Sequence, residues 1–349
     1  MLSRFRPDNF ILALVATVVV ATFAPAQGWF AELFRVATTL AIGLLFFLHG
    51  ARISRRMALE GLGHWRLHAV VFASTFIVFP LLGLTAQLLV PWLLTPALYA
   101  GLLFLCVLPS TVQSSIAFTS IAGGNVPAAI CSASASNIIG MFLTPALVAL
   151  FFSASGNGFS MSALEGILAQ LLLPFMLGQI LQPWIGSWLG RHRSLTGLVD
   201  RGSVLMVVYL AFGEAVLGGL WHHLSPAALL AMAGVDMVLL AAVLCITTYA
   251  SRLLGFSRRD EITIVFCGSK KSLASGVPMA NVIFSGQDIG SIVLPLMLFH
   301  QIQLMACAAL ARRYAQSAAR ATPLAPPPAT PPDVQPLRTP ASHRELVHH

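Results

Sequence analysis

Ten apolar segments of roughly 20 residues divide most of this chain. An α-helix needs about 20 apolar residues to cross the ~30 Å hydrocarbon core of a bilayer. Charged residues make up 9% of the sequence, against about 25% in soluble domains. We therefore predict an all-α polytopic membrane protein with ten transmembrane helices. The segments run from about 9 to 25, 30 to 50, 67 to 90, 96 to 122, 126 to 152, 163 to 189, 204 to 221, 226 to 254, 262 to 283 and 289 to 311.

The arginines are distributed unevenly between the two sets of loops. They cluster before segment one, between segments two and three, six and seven, and eight and nine, and after segment ten, whereas the opposite loops contain none. Arg35 is the exception, with Glu32 as a local partner three residues earlier. This positive-inside pattern predicts an even number of spans, with both termini in the cytoplasm.

The remaining composition narrows the class further. Although the net charge is +8, the arginines form no basic face, so we expect membrane lipid and no nucleic acid as a partner. The excess of arginine over lysine is compatible with a bacterial source and hence an inner membrane. The Pro-, Ala- and Thr-rich stretch 321–349 is predicted to be a disordered cytoplasmic tail after a transporter domain of about 1–313. The sequence does not indicate an oligomeric state.

The chain's only two lysines, Lys270 and Lys271, lie within segment nine. A charge at the middle of a bilayer costs about 2.5–3.5 kcal/mol on insertion scales, so two lysines facing lipid would be very unfavourable. Gly268, Ser269 and Ser272 flank the pair, which predicts a broken helix that lines a polar cavity. The alternative is a cytoplasmic loop that carries a basic pair.

Segment four is interrupted in a similar way, at Pro109, and polar residues follow the interruption. Because segments four and nine are five spans apart, one broken helix falls at the same place in each half of the chain. With an odd number of helices in each half, the second half crosses the membrane in the opposite orientation to the first. This is the pattern of an inverted-repeat transporter, whose site lies where the two broken helices meet. Packing of small residues between helices is the alternative. The candidate binding residues are Ser110, Thr111, Gln113, Ser114, Ser115, Ser269, Lys270, Lys271 and Ser272.

Three stretches resemble the bile acid:sodium symporter superfamily: FFLHGARIS at 46–54, FCGSKKSLASGVPMAN at 266–281 and FHQIQLMACAALA at 299–311. Within it, the chain resembles the branch with the YfeH-type bacterial proteins, the seventh human member and fungal regulators of calcium uptake. The resemblance covers about 10–313. It implies two inverted five-helix repeats, in which a core (about 67–152 and 226–313) moves against a panel (about 9–50 and 163–221) by alternating access.

The family's sodium motifs match only in part. In helix four Ser114 matches, whereas Ser115 stands in place of asparagine; in helix nine Phe266 replaces the glutamate. Lys270 and Lys271 take the positions of glutamine and asparagine. Ser114 and Ser115 are the candidate sodium ligands, and sodium is the one candidate cofactor. Fixed positive charge disfavours a second cation, so we hypothesise that a lysine ammonium substitutes for at least one sodium.

Other polar residues lie within the apolar segments. The resemblance implies that polar side chains of helix five complete a sodium site, and Ser132, Ser136 and Asn137 are the candidates there. Glu214 and Asp236 are candidates to neutralise the lysines or to relay a proton, with Asp236 the better partner because it lies in the expected core. His49 and His300 are candidates for gating or proton relay. Structural hydrogen bonding and ion pairing are the alternatives for all of these.

The leading functional hypothesis is secondary transport of a small organic anion. The alternative is a non-transporting membrane regulator of calcium homeostasis, as the fungal branch suggests. We do not expect an enzyme, because the sequence contains no HExxH or GxSxG motif and no nucleotide-binding loop. A Ser-Lys dyad formed by Ser269 or Ser272 with a lysine is the one catalytic arrangement that the residues allow.

Overall fold

A computed structural model describes residues 9–52, 64–154, 168–219, 225–284 and 288–321. Within these ranges all regular structure is helical and no strand is present, as the sequence predicts. Arg4, Arg6, Arg55 and Arg56 of the predicted charge pattern, and the predicted tail from 322 onward, lie outside the described residues. The helices are α1 Asn9–Phe23, α2 Gly28–Arg52, α3 Trp65–Leu89, α4 Pro96–Val107, α5 Gln113–Ile121, α6 Val126–Ala154, α7 Leu173–Arg191, α8 Arg193–Leu217, α9 Pro226–Leu253, α10 Arg258–Gly268, α11 Leu273–Ile283 and α12 Ile289–Ala321.

Several helices begin at a side-chain cap that the sequence specifies locally. Thr95, Ser225, Ser257 and Ser272 each accept a hydrogen bond from the backbone N–H three residues later, at 3.1–3.3 Å. Such caps satisfy one of the N–H groups that the first turn of a helix leaves unpaired. Proline follows Thr95 and Ser225 directly, where its missing N–H and fixed φ suit the first helical position.

Six of the described helices are long and apolar enough to cross a membrane: α2, α3, α6, α8, α9 and α12. The helix surface is strongly apolar, with Phe23, Trp92 and Leu253 each at least 85% exposed. Apolar side chains in such numbers on the outside of a helical bundle are typical of a surface that faces lipid. The chain is therefore a multi-pass membrane protein.

The helices form two sets of neighbours, which α8 connects because it also packs against α11 and α12. In one set α2 packs against α7 and α8, and α1 packs against α8; in the other α12 packs against α4, α9 and α11. The α2–α7 contact depends on glycine, because a Cβ at Gly50 would collide with the carbonyl of Phe175, and one at Gly178 with the carbonyl of Phe47. Small residues that allow close backbone approach are the usual basis of helix association in membranes.

Two helical segments are interrupted, as the sequence predicts. The first break separates α4 from α5 at residues 108–112, and the second separates α10 from α11 at residues 269–272. Helix α3 is irregular as well, since Ser74–Val78 forms a π-helical turn. Within a membrane protein, irregular backbone is tolerated where other protein groups satisfy its hydrogen bonds.

Candidate ion and substrate site at the two helix breaks

The two breaks contact each other directly. The N–H of Ser272 donates to the carbonyl of Pro109 at 2.9 Å. The hydroxyl of Ser110 donates to the carbonyl of Cys267 at 2.6 Å, and that of Ser115 to the carbonyl of Phe266 at 3.1 Å. Polar groups that one break frees are thus satisfied by the other break, which keeps both stable away from water.

Lys271 is fully buried, and its ammonium group is surrounded by backbone carbonyls. Its Nζ lies 2.8 Å from the carbonyl oxygen of Thr75, 2.7 Å from that of Cys106 and 2.8 Å from that of Leu108. Three acceptors require three N–H donors, which an ammonium has and a neutral amine lacks. The geometry therefore fits the charged form of Lys271.

The carbonyls around Lys271 are available because of the local irregularities. Thr75 belongs to the π-helical turn of α3, and Cys106 and Leu108 lie at the C-terminal end of α4. In a continuous helix the N–H of Ser110 would bond to Cys106, but here it donates to the hydroxyl of Ser136 at 3.1 Å. The last carbonyls of a helix lack intrahelical partners and carry the negative end of its dipole.

Lys270 is equally buried but has a different environment. Its Nζ lies 3.7 Å from the centroid of the Phe118 ring and 5.8 Å from that of Phe266. No hydrogen-bond acceptor reaches this Nζ among the residues that the structure describes. The contact with Phe118 is a cation–π interaction, which is worth about 2 kcal/mol when it is desolvated.

Gln303 of α12 holds the backbone of Lys271. Its Oε1 accepts from the N–H of Lys271 at 2.9 Å, and its Nε2 donates to the carbonyl of the same residue at 2.9 Å. The Nε2 also lies 2.9 Å from Nδ1 of His300. Gln303 stands out in the sequence as a polar residue of the tenth segment, three residues after His300 on the same helix face, but it was not among the predicted site residues.

Helix α6 contributes two of its three predicted residues to the breaks. Asn137 donates to the carbonyl of Ser110 at 2.8 Å and accepts from the hydroxyl of Ser275 at 3.0 Å, so it bridges the first break and the first turn of α11. Ser136 binds the N–H of Ser110. Ser132 lies elsewhere, with its hydroxyl 2.6 Å from Nδ1 of His68 on α3.

A cavity of about 300 Å³ lies beside the breaks. Helices α5 and α11 both begin at its wall, which includes Gln113 and Ser114 of α5 and Ser272 and Ser275 at the start of α11. Ser114 Oγ lies 2.7 Å from the hydroxyl of Thr111, which also lines the cavity. Two helix N-termini that face one cavity provide partial positive charge and N–H donors to a ligand. The apolar part of the lining includes Phe10, Met141, Phe175, Leu273 and Leu304.

Charged groups of α2 and α8 also line the cavity. Arg52 pairs with Asp200 at 2.8 Å, and His49 Nε2 lies 3.9 Å from the same carboxylate. Arg201 packs on Phe10, with its guanidinium carbon 5.8 Å from the ring centroid. Within the described ranges Arg201 has no ion pair, so the lining carries a net positive charge. Lys270 and Lys271 do not line this cavity.

The two intramembrane carboxylates do not meet the lysines in this structure. Glu214 pairs with Arg35 at 2.9 Å and is 45% exposed. Asp236 is fully buried, and neither carboxylate oxygen has a hydrogen-bond partner among the described residues. The lysines are instead accommodated by carbonyls and aromatic rings. Among all the residues that the structure describes, no group of three or more His, Cys, Asp or Glu side chains could hold a metal ion.

Comparisons with known proteins identify the family of this chain. The model of the SBF-like CPA transporter family matches residues 8–316. The uncharacterized protein PA2026 of Pseudomonas aeruginosa is 58% identical over 90% of this chain and 94% of its own length. The putative symporter YfeH of Escherichia coli is 53% identical over 88% of this chain and 92% of its own length. Sodium/bile acid cotransporter 7 of Rattus norvegicus is 27% identical over 87% of this chain and 92% of its own length.

Both the length of the family match and the identity to YfeH exceed what a shared helical class alone would produce. The match spans α1 to most of α12 and so includes both helix breaks. The chain is a membrane transporter of the bile acid:sodium symporter type, and it belongs to the SBF-like CPA transporter family.

Proposed function

We propose that this chain is a secondary transporter that carries a small organic anion by alternating access. The observation that carries the proposal is the cavity at which α5 and α11 both begin. Two helix N-termini and Arg201 favour an anionic group, while Phe10, Phe175 and Met141 suit an apolar body. Membership of a transporter family supports transport rather than catalysis.

The proposed architecture has ten spans in two inverted five-helix repeats. Ten spans result if α4 and α5 together form one broken span and α10 and α11 form another. The packing of α1, α2, α7 and α8 on one another supports a panel, against which the remaining helices would move as a core. The bonds between the two breaks support a core that moves as one body.

The proposed location is a bacterial inner membrane, with both termini in the cytoplasm. Arg52 and Arg201, which line the cavity, belong to the arginine-rich side of the chain. The cavity therefore opens toward the cytoplasm in the proposed orientation. This corresponds to the inward-facing state of an alternating-access cycle.

The test is a stability screen of the purified protein with small organic anions, and with neutral and cationic compounds of matched size. We expect stabilisation by anions alone, since a ligand that binds only the folded state raises its apparent stability. A stabilising anion should then show saturable counterflow in proteoliposomes. Stabilisation by amines instead of anions would contradict the proposal, and absence of any flux together with a calcium phenotype in cells would favour the regulator.

A matched pair of variants tests the cavity itself. Arg201→Gln removes a guanidinium that lines the cavity and has no ion pair among the described residues. It should weaken anion binding about tenfold, as expected for one charge a few ångströms from the ligand. Arg191→Gln removes an exposed arginine at the end of α7, away from the lining, and should leave binding unchanged. Equal effects of the two variants would count against this cavity as the anion site.

A further inference from the structure

Three carbonyl oxygens from two separate elements converge on one buried point. Thr75 supplies one from the π-helical turn of α3, and Cys106 and Leu108 supply two from the end of α4. None of the three is a side chain that could be neutralised by protonation. Converging carbonyl dipoles repel one another and favour a cation between them, as in the filters of potassium channels.

The group at that point belongs to the chain itself. Lys271 Nζ lies 2.7–2.8 Å from all three oxygens, and the Phe79 ring centroid lies 4.1 Å from it. Each N–H of the ammonium therefore has one acceptor, and the ring face covers part of the remaining surface. The backbone of Lys271 is held in turn by both amide atoms of Gln303.

Lys270 shows that burial and sequence position alone do not create this environment. It is the neighbouring residue and is equally buried, yet its Nζ contacts the Phe118 ring and no carbonyl among the described residues. The two lysines are therefore not interchangeable cations. The oxygen ligands that a hard monovalent cation prefers surround only Lys271.

We infer that Lys271 is a tethered internal cation, which fills a carbonyl site that would otherwise bind a free monovalent cation. The wild-type protein then needs no sodium or potassium at this point, and removal of the side chain opens the site to such an ion. The consequence for coupling rests on the proposed transport function: because this cation never dissociates, anion movement is not driven by a sodium gradient through this site.

The test is thermal unfolding of the purified full-length protein in chloride salts of sodium, potassium and ammonium, each compared with choline at fixed ionic strength. Wild type should show no cation-specific shift. Lys271→Ala should be less stable in choline and should recover as a small cation is added. The recovery should be on the order of 2–4 °C for each tenfold rise in concentration above the dissociation constant.

Two variants control this experiment. Lys270→Ala removes the neighbouring lysine and should show no cation-specific recovery, since no carbonyls converge there. Lys271→Met keeps a long apolar side chain without the charge, so the space stays occupied and the recovery should be lost or weak. The recovery of Lys271→Ala should also be selective for small cations over choline, whereas a general salt effect would appear in all the variants.

Several outcomes would overturn the inference. These are a sodium-specific shift in wild type that Lys271→Ala abolishes, equal recovery of Lys270→Ala, or no folded Lys271→Ala in any of the small-cation salts. The measurement needs no substrate and no flux. Failure to find anion transport would therefore leave this result standing, and failure of the cation test would leave the transport proposal untouched.

Discussion

The two helix breaks are similar in position but opposite in chemistry. The break between α4 and α5 carries no charged residue and presents carbonyls and hydroxyls, including those of Leu108 and Ser110. The break between α10 and α11 carries the only two lysines of the chain. Lys271 donates to the carbonyl of Leu108 in the first break and to that of Cys106 in the last turn of α4. In the opposite direction, the hydroxyl of Ser110 donates to the carbonyl of Cys267. Hydrogen bonds between the two breaks thus satisfy backbone groups that the interruptions leave without helical partners.

The largest expected effect is that of Lys271→Met, which removes the ammonium group that donates to three backbone carbonyls. It leaves three buried carbonyls without a partner, each of which costs about 1–3 kcal/mol. We expect a loss of roughly 3–5 kcal/mol from these unpaired carbonyls, and a correspondingly large fall in melting temperature in detergent. A loss no greater than that of Lys270→Met would show that the carbonyl contacts contribute little.

A smaller effect is expected for Gln303→Leu. This change removes the acceptor and the donor that hold the N–H and C=O of Lys271, and we expect a loss of about 2–3 kcal/mol. Gln301→Leu is the matched control, since Gln301 lies on the same helix and forms no hydrogen bond to the breaks within the described ranges. The difference in melting temperature between the two variants measures how firmly α12 positions the lysine.

Asn137→Ala tests whether the two breaks are joined by side chains as well as by Lys271. It removes the bonds to the carbonyl of Ser110 and the hydroxyl of Ser275, and we expect a loss of about 1–2 kcal/mol. Because Asn137 also lines the cavity, anion binding should weaken as well. Ser134→Ala, another change in the lining of the same helix, should affect stability less. Equal losses from both changes would contradict the bridging role.

The smallest effect on stability is expected for Lys270→Met. The change gives up a cation–π contact worth about 2 kcal/mol, but it also removes a buried cation that lacks an acceptor among the described residues. These terms oppose each other, so the net change should lie within about 1 kcal/mol of zero. A fall in melting temperature as large as that of Lys271→Met would show that the two lysines are equivalent after all.

Much of the site could be predicted from the sequence. The Pro109 interruption and the glycine and serine residues around the lysines predicted both breaks, because hydropathy and backbone breakers act locally. The polar residues after Pro109, together with Ser136 and Asn137, do lie at the breaks or the cavity. The assignment of Ser132 to the same site could not be checked without the structure, which places Ser132 against His68.

The sequence by itself determined the class of protein, the positions of the broken helices and the presence of buried lysines, since these depend on composition and on residues close in the chain. Only the tertiary structure decided which lysine meets oxygen ligands, that Asp236 is not their partner, and that Glu214 pairs with Arg35. The physical reason is that the decisive ligands are backbone carbonyls of Thr75, Cys106 and Leu108. Every residue carries such a carbonyl, so only the packing of α3 and α4 around the second break shows which ones a cation can reach.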